Sequence, residues 1–216
     1  MKVTKSRREF YDACGIAHAL ELIGERWGLL VLRELLFGPR RFSDLKADLP
    51  GITPSVLTQR LSEFEDRGLV RMSRLPPPAS VWVYEATEWG LDIEAALITL
   101  GCWALRSPRH DSTKPVNASS VMLSLKANFD STKAQGFRAR VGFRLGEKEF
   151  VVRVEDGEIE VRRGETSGAD ATFTGAPTGV VEVMFRGAPD ALAIEGDMAL
   201  ARRFTEMFSL PAKAAQ

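Results

Sequence analysis

Hydrogen-bonding side chains are concentrated on one predicted helix, which runs from Thr53 to Arg67 and ends at Gly68. Thr53-Pro54 is a typical helix start, because threonine caps a helix and proline fits its first turn. Leu57, Leu61 and Phe64 form the apolar stripe that faces a core. The rest of the helix surface carries hydroxyl, amide and guanidinium groups, on Ser55, Thr58, Gln59, Arg60 and Ser62. Such groups can bond base edges in the DNA major groove, although spacing alone fits a merely solvated helix face equally well.

The elements around this helix follow the order of a winged helix-turn-helix. Ser43 is expected to cap a short helix that ends near Leu49, and Pro50-Gly51 makes the turn before Thr53. Two strands, Leu69 to Arg74 and Val81 to Ala86, form a hairpin with a proline-rich tip. In that architecture the second helix enters the major groove and the hairpin forms a wing. Upstream helices are expected at 16–22 and 27–36, and a last helix runs from Thr87 to about Leu105.

Four arginines flank the reading helix and would contact phosphate: Arg40, Arg41, Arg71 and Arg74. Such contacts give affinity that depends on salt but not on sequence. The candidate DNA-binding set consists of these arginines, the polar residues of the reading helix, and Ser43 and Thr53, which lie at the predicted helix starts.

The composition separates two domains and excludes several protein classes. The 216 residues include 29 basic and 29 acidic side chains, so the protein is not a general polycation. The tyrosines and tryptophans all precede residue 104, and a polar, proline-containing linker is predicted at 107–117, between domains 1–106 and 118–213. No apolar run reaches 18 residues, so membrane insertion is not expected. The two isolated cysteines suit a reducing cytoplasm. No cofactor or metal site is predicted, and no catalytic motif indicates an enzyme.

The second domain is predicted to combine strands with helices, which makes the whole chain α+β. Alternation of apolar and polar residues from Phe137 to Leu145 indicates a half-buried strand. Further strands are expected at 121–127, 150–154, 158–162 and 171–174, and helices at 178–185 and 198–208. Arginines and glutamates alternate on the strands, which favours ion pairs on a solvated sheet face over a phosphate track.

The first domain resembles the HxlR family of bacterial winged-helix regulators, relatives of the MarR group. The resemblance covers about residues 13–104 and is carried by CGIAHALELIGERW at 14–27, LRELLFGPRRFSDL at 32–45, LPGITPSVLTQRL at 49–61 and GLV at 68–70. It implies a homodimer, formed by the first and last helices of the domain, that binds an inverted-repeat operator. Glu85 replaces a frequent arginine of the family and is therefore left out of the site.

Cys14 occupies a position that responds to electrophiles or oxidants in several proteins resembling this one. A helix N-terminus stabilises a thiolate, and His18, one helical turn later, would add positive charge. The alternative is a small apolar residue packed at the dimer contact. Cys102 is assigned no chemistry.

The second domain resembles the sterol carrier protein type 2-like domain over about residues 118–212. The matching segments are ADATFTG at 169–175, VVEVMF at 180–185 and IEGDMALARRF at 194–204. The resemblance implies an apolar tunnel for a lipid-like molecule, with candidate wall residues Phe173, Met184, Phe185, Phe204 and Phe208. A row of such residues also fits an ordinary core.

These observations predict a DNA-binding transcriptional regulator modulated by a small apolar ligand or by thiol modification. The rival interpretation is a lipid carrier whose helical half serves only for dimerisation.

Overall fold

The computed structural model describes residues 10–215, which divide into two compact units, one ending at Ile93 and the other beginning at Glu94. The sequence predicts a first domain that extends to residue 106. The contacts of the long helix at 93–105 group all but its first residue with the second unit.

The first unit contains five helices and one hairpin in its described part. The helices are α1 (Gly15–Ile23), α2 (Gly28–Leu35), α3 (Phe42–Asp48), α4 (Pro54–Asp66) and α5 (Glu88–Leu91). The hairpin pairs β1 (Val70–Arg74) with β2 (Trp82–Ala86) in antiparallel register. Its core lies between α2, α3 and α4, where Leu32, Leu45 and Phe64 are almost fully buried. Gly51 makes the turn before α4 at φ +93°, a conformation that glycine adopts without steric cost.

Two local expectations about the first unit are wrong. Ser43 does not cap α3, because the helix begins one residue earlier, at Phe42, and Arg41 occupies the cap position. The predicted helix from Thr87 is broken at Asp92 into α5 and α6 (Ile93–Leu105). Thr87 nevertheless caps α5, since its hydroxyl accepts a hydrogen bond from the Gly90 amide at 3.0 Å.

A five-stranded mixed sheet forms the centre of the second unit. The strands are β3 (Arg138–Leu145), β4 (Lys148–Glu155), β5 (Glu158–Arg163), β6 (Ala171–Gly175) and β7 (Ala193–Gly196), in the order β5-β4-β3-β6-β7. Only β3 and β6 run parallel; the other neighbouring pairs are antiparallel. Helices α7 (Ala118–Ala127), α8 (Pro177–Arg186) and α9 (Met198–Thr205) complete the unit.

The strand predicted at 121–127 is wrong, because this segment is helix α7. Its cap, Asn117, accepts a hydrogen bond from the Ser120 amide at 2.8 Å. The segment is buried around most of its circumference, so its sequence lacks the polar face that distinguishes a helix from a strand. Edge strand β7 is the one strand that the sequence analysis does not predict within the described residues.

Helices long and apolar enough to cross a membrane are absent from residues 10–215.

Candidate nucleic-acid interface

Helix α4 begins as its sequence predicts. The Thr53 hydroxyl accepts a hydrogen bond from the Val56 amide at 3.4 Å, and Pro54 is the first helical residue. Because this cap fixes the first turn, the backbone amides and the hydroxyls of the N-terminal half are held in one orientation.

Three hydroxyl residues form the exposed face of α4. Ser55, Thr58 and Ser62 are solvent-exposed, whereas Leu57 and Leu61 on the opposite side are buried. This division confirms the amphipathic pattern of the sequence and leaves the hydroxyls accessible.

Gln59 lies at the border of this face. Its side chain is half-buried, and its amide nitrogen donates a hydrogen bond to Glu63 Oε1 at 2.9 Å. A contact between Gln59 and a base edge would have to replace this bond.

Arg60 does not belong to the exposed face, contrary to the sequence analysis. The residue is only 5% exposed, and its guanidinium lies 2.8 Å from Glu63 and 3.6 Å from Glu25. The helical position of Arg60 is close to the buried stripe, so its long side chain folds into the unit instead of pointing to solvent.

Arg40 is not available for the phosphate contact that the sequence predicts. Its guanidinium is buried and forms an ion pair with Asp48 of α3. The backbone of Arg40 pairs with Tyr84 of β2 through two hydrogen bonds of 2.8 Å, so this segment extends the hairpin by one bridge. Arg40 therefore anchors the wing to α3, and the neighbouring Arg41 and Ser43 remain exposed.

The wing presents its two arginines differently. Arg71 lies opposite Glu85 in the hairpin register, and its Nε donates to the carboxylate at 2.9 Å. This hydrogen bond and the arginine charge lower the pKa of Glu85. Arg74 is exposed, and its side chain reaches only the Ser80 carbonyl, at 3.3 Å, among the hydrogen bonds of the described residues.

An exposed tryptophan accompanies Arg74, at a surface position that was not predicted from the sequence. Trp82 pairs with Arg74 across the hairpin and is 59% exposed. Directly paired residues of a hairpin share one face. The strand register could therefore have placed both side chains on the same surface near the wing tip.

Tyr84, two pairs closer to the body of the unit, contrasts with Trp82. Burial and the negative charge of Glu65 raise the pKa of its phenol. The phenol therefore stays neutral across the physiological range.

Cys14 is exposed and precedes the first residue of α1, as the sequence predicts. The support expected from His18 stays a prediction; its Nδ1 lies 3.2 Å from Glu21 Oε2. The Cys14 amide donates a hydrogen bond to the Asp12 carboxylate at 2.9 Å.

Apolar side chains are exposed on both helices that the resemblance assigns to dimerisation. On α1, Ile16 is 73% exposed; on α6, Trp103 is 70% exposed, and none of the α6 residues is buried. Exposed apolar helix faces of this kind mark protein–protein contacts.

The five predicted pocket residues of the second unit belong to its packed interior. Phe173, Met184, Phe204 and Phe208 are buried, and Phe185 is half-buried. The Phe204 ring lies 6.1 Å from the Phe173 ring and 4.9 Å from the Phe208 ring. Two open grooves of about 410 and 500 Å³ lie beside α9, but none of the five residues lines either. These side chains pack against one another inside the unit, and their role as walls of a tunnel stays a prediction.

The fold and this surface define a winged helix-turn-helix protein joined to an α/β domain. Residues 22–111 match the HxlR-like helix-turn-helix family, and residues 123–209 match the SCP-2 sterol transfer family. The chain is 33% identical over 86 residues to the HTH-type transcriptional regulator YodB of Bacillus subtilis, which is 40% of this chain and 77% of that protein.

A second Bacillus subtilis regulator, YkvN, is 38% identical over 94 residues, which is 42% of this chain and 77% of the relative. The protein therefore belongs to the HxlR-like helix-turn-helix family and carries an SCP-2 domain after it.

Two further matches cover a similar share of this chain. A Mycobacterium tuberculosis HTH-type regulator is 39% identical over 93 residues, 43% of this chain, and the chain spans only 58% of that relative. The solved structure of reduced YodB has a TM-score of 0.41 at 29% identity, over 46% of this chain and all of that chain.

Proposed function

We propose that the protein is a homodimeric, DNA-binding transcriptional regulator that reads an inverted-repeat operator with α4. The observation that carries the proposal is the exposed hydroxyl face of α4, Ser55, Thr58 and Ser62, on a helix fixed by the Thr53 cap. Membership of a family whose relatives are named transcriptional regulators supports it.

Phosphate contacts are assigned to the exposed arginines on either side of α4. Arg41 precedes α3, Arg74 lies on the wing, and both are free of ion pairs among the salt bridges of residues 10–215. Arg71 contributes less, because Glu85 neutralises it. The buried Arg40 and Arg60 are left out of the proposed interface.

The test is a salt titration of binding to the DNA upstream of the protein's own gene, with random DNA for comparison. The expected result is a preference of about 10³-fold or more for a specific site and an affinity that falls steeply with salt. Arg41→Ala and Arg74→Ala should each reduce the salt slope, whereas Arg202→Ala, which removes an exposed charge from α9, should not. Equal affinity for the upstream region and random DNA contradicts the proposal.

Cys14 is the proposed site of regulation by thiol modification, because it is exposed at the start of a helix whose apolar face is also exposed. A bulky or charged adduct there would disturb the dimer contact. Treatment with an aldehyde or diamide should weaken operator binding by the wild-type protein and leave the Cys14→Ser variant unaffected. Equal loss of binding in both proteins assigns the response to another group.

Regulation by a small apolar ligand is the second proposed input, supported by the SCP-2 family match. The filled aromatic interior means that such a molecule must displace side chains to enter. The rival function, a lipid carrier, requires the same interior to open to its cargo.

A further inference from the structure

Helix α6 is held within the second unit by the end of α7 and by the C-terminal residues 209–215, which we call the tail. At its start, Glu94 accepts a hydrogen bond from Lys126 of α7 at 2.5 Å. Further along, the Cys102 thiol donates to the Ala127 carbonyl at 3.4 Å. Helix α6 is thereby fixed along one side by the last residues of α7.

The tail binds the other end of α6. Lys213 Nζ donates hydrogen bonds to the carbonyls of Leu105, at 2.9 Å, and Ser107, at 3.2 Å. The Ala214 amide donates to the Arg106 carbonyl at 2.8 Å. The last carbonyls of a helix have no partner within it and carry partial negative charge, so a lysine there both satisfies and stabilises them.

The end of α7 and the tail both adjoin one aromatic cluster, which consists of Phe129, Phe143, Phe173, Phe204 and Phe208. Phe129, two residues beyond α7, and Phe208, immediately before the tail, form a β-bridge with their rings 5.9 Å apart.

Backbone hydrogen bonds tie the two segments together beside this bridge. The Ser209 amide donates to the Asn128 carbonyl at 3.2 Å, and the Asp130 amide donates to the Met207 carbonyl at 2.8 Å. Displacing the Phe208 ring would therefore move the tail and the exit of α7 together.

The exposed face of α6 carries the apolar residues Leu100 and Trp103, on the helix that the family resemblance assigns to dimerisation. The helix also follows directly from the winged-helix unit, since Ile93 packs against the core of that unit. Helix α6 thus contacts the two segments that adjoin the aromatic cluster, and it also carries the proposed dimer surface. An element whose position two sites both bias is what coupling between those sites requires.

We propose that α6 transmits the state of the aromatic cluster to the DNA-binding dimer, with Lys126 and Lys213 as the positioning residues. The effector is a small apolar molecule that inserts into the cluster and displaces Phe208. The tail and the end of α7 then release α6, and the spacing of the two reading helices changes. This inference rests on the proposed function, which supplies the dimer and the operator.

The test is a double-mutant cycle on the full-length chain. Phe208→Leu loosens the cluster, and Lys126→Ala/Lys213→Ala removes the two lysine contacts to α6; the changes are made alone and combined. Phe208→Leu should weaken operator binding at least fivefold, the lower end of typical coupling between sites. In the background without the two lysines, the same substitution should change affinity less than twofold, because the connection is already broken.

A matched control distinguishes transmission from general loss of stability. Val161→Ala truncates a buried residue on edge strand β5, at the opposite side of the sheet from β6. It should leave operator affinity unchanged at temperatures where unfolding curves show every variant folded. If Val161→Ala weakens binding as much as Phe208→Leu, or if Phe208→Leu acts equally in both backgrounds, the inference is wrong.

Hydrogen exchange of the α6 amides in DNA-free protein gives a readout that does not depend on an operator. Phe208→Leu should accelerate exchange near Leu105 in the wild-type background and not in the variant without the two lysines. If this pattern holds while no specific DNA is bound, the proposed function fails and the coupling stands. If operator binding is specific but Phe208→Leu leaves hydrogen exchange of the α6 amides unchanged, the coupling is wrong and the proposed function stands.

Discussion

Arg71 and Glu85 face each other on the wing, and their ion pair determines how much positive charge this hairpin presents to DNA. The pair is exposed, so it contributes little to folding stability. Its consequence lies in binding, because an arginine already paired with a carboxylate must lose that partner before it can contact phosphate.

Replacing Glu85 by glutamine should therefore strengthen DNA binding at low salt. Each freed arginine adds one phosphate contact, so the slope of log affinity against log salt should steepen by about 2 for a dimer. A salt titration of Glu85→Gln measures this. The double variant Arg71→Ala/Glu85→Gln should lose the gain, and an unchanged slope in Glu85→Gln would show that Arg71 does not reach the backbone.

Tyr84 predicts a pH dependence of folding. Burial and Glu65 raise the pKa of its phenol above the value of about 10 that it has when unfolded. The resulting stabilisation is complete below that unfolded pKa and is lost as pH rises through the folded value. In urea unfolding between pH 8 and 11, wild type should lose stability relative to Tyr84→Phe only above about pH 10. A difference that stays constant over this range contradicts the assignment.

Helical spacing predicted the exposure of some side chains and not of others. It correctly predicted that Ser55, Thr58 and Ser62 are exposed, because the core stripe of α4 is strongly apolar. It failed for Arg60, which pairs with the distant Glu25 as well as with the nearby Glu63; Arg40, which lies outside the helices, is buried in an ion pair with Asp48. Long-range ion pairs leave no local periodicity to read.

Among the secondary-structure elements, the start signals at Thr53 and Thr87 were predictive, whereas the one at Ser43 was not. The cap at Thr53 and the proline after it are local chemistry, and α4 begins there. Helix α7 was predicted as a strand because its apolar residues are not confined to one face. Only its packing against several neighbouring elements decides between helix and strand. Strand β7 was missed because four residues at the edge of a sheet carry too short a pattern.

Helix α9 offers a test of the same start signals. Asp197 accepts hydrogen bonds from the amides of Ala199, at 2.9 Å, and Leu200, at 3.0 Å. Asp197→Ala should lower the free energy of unfolding by about 1 kcal/mol, the usual effect of removing a cap. Asp190→Ala removes the same charge from an exposed site and should have a smaller effect. Equal losses in the two variants would show that charge, and not the cap, matters.

For the whole molecule, the exposed apolar face of α6 predicts self-association. Trp103→Asp puts a charge into the proposed dimer contact and should give monomers in analytical ultracentrifugation, together with weaker operator binding. Met198→Asp is the matched control, because Met198 is 58% exposed on α9 and lies outside that contact. A Trp103→Asp protein that remains dimeric would place the interface elsewhere.

The assignment to two families could be made from the sequence because each half carries its own motifs. The position of α6 could not, because its side chains suit either domain and its partners, Lys126 and Lys213, lie far along the chain. The filled interior of the second unit was equally hidden, since phenylalanines that line a tunnel and phenylalanines that close it have the same spacing.

Hydroxyl-radical footprinting of the DNA upstream of the gene tests the central claim most directly. A dimer that reads DNA with two α4 helices should protect two symmetric half-sites whose centres lie one helical turn, about 10 base pairs, apart or a multiple of it. Combining Thr58→Ala with Ser62→Ala should erase the footprint while the dimer persists. A single unsymmetric footprint, or protection that survives both substitutions, would contradict DNA reading by α4.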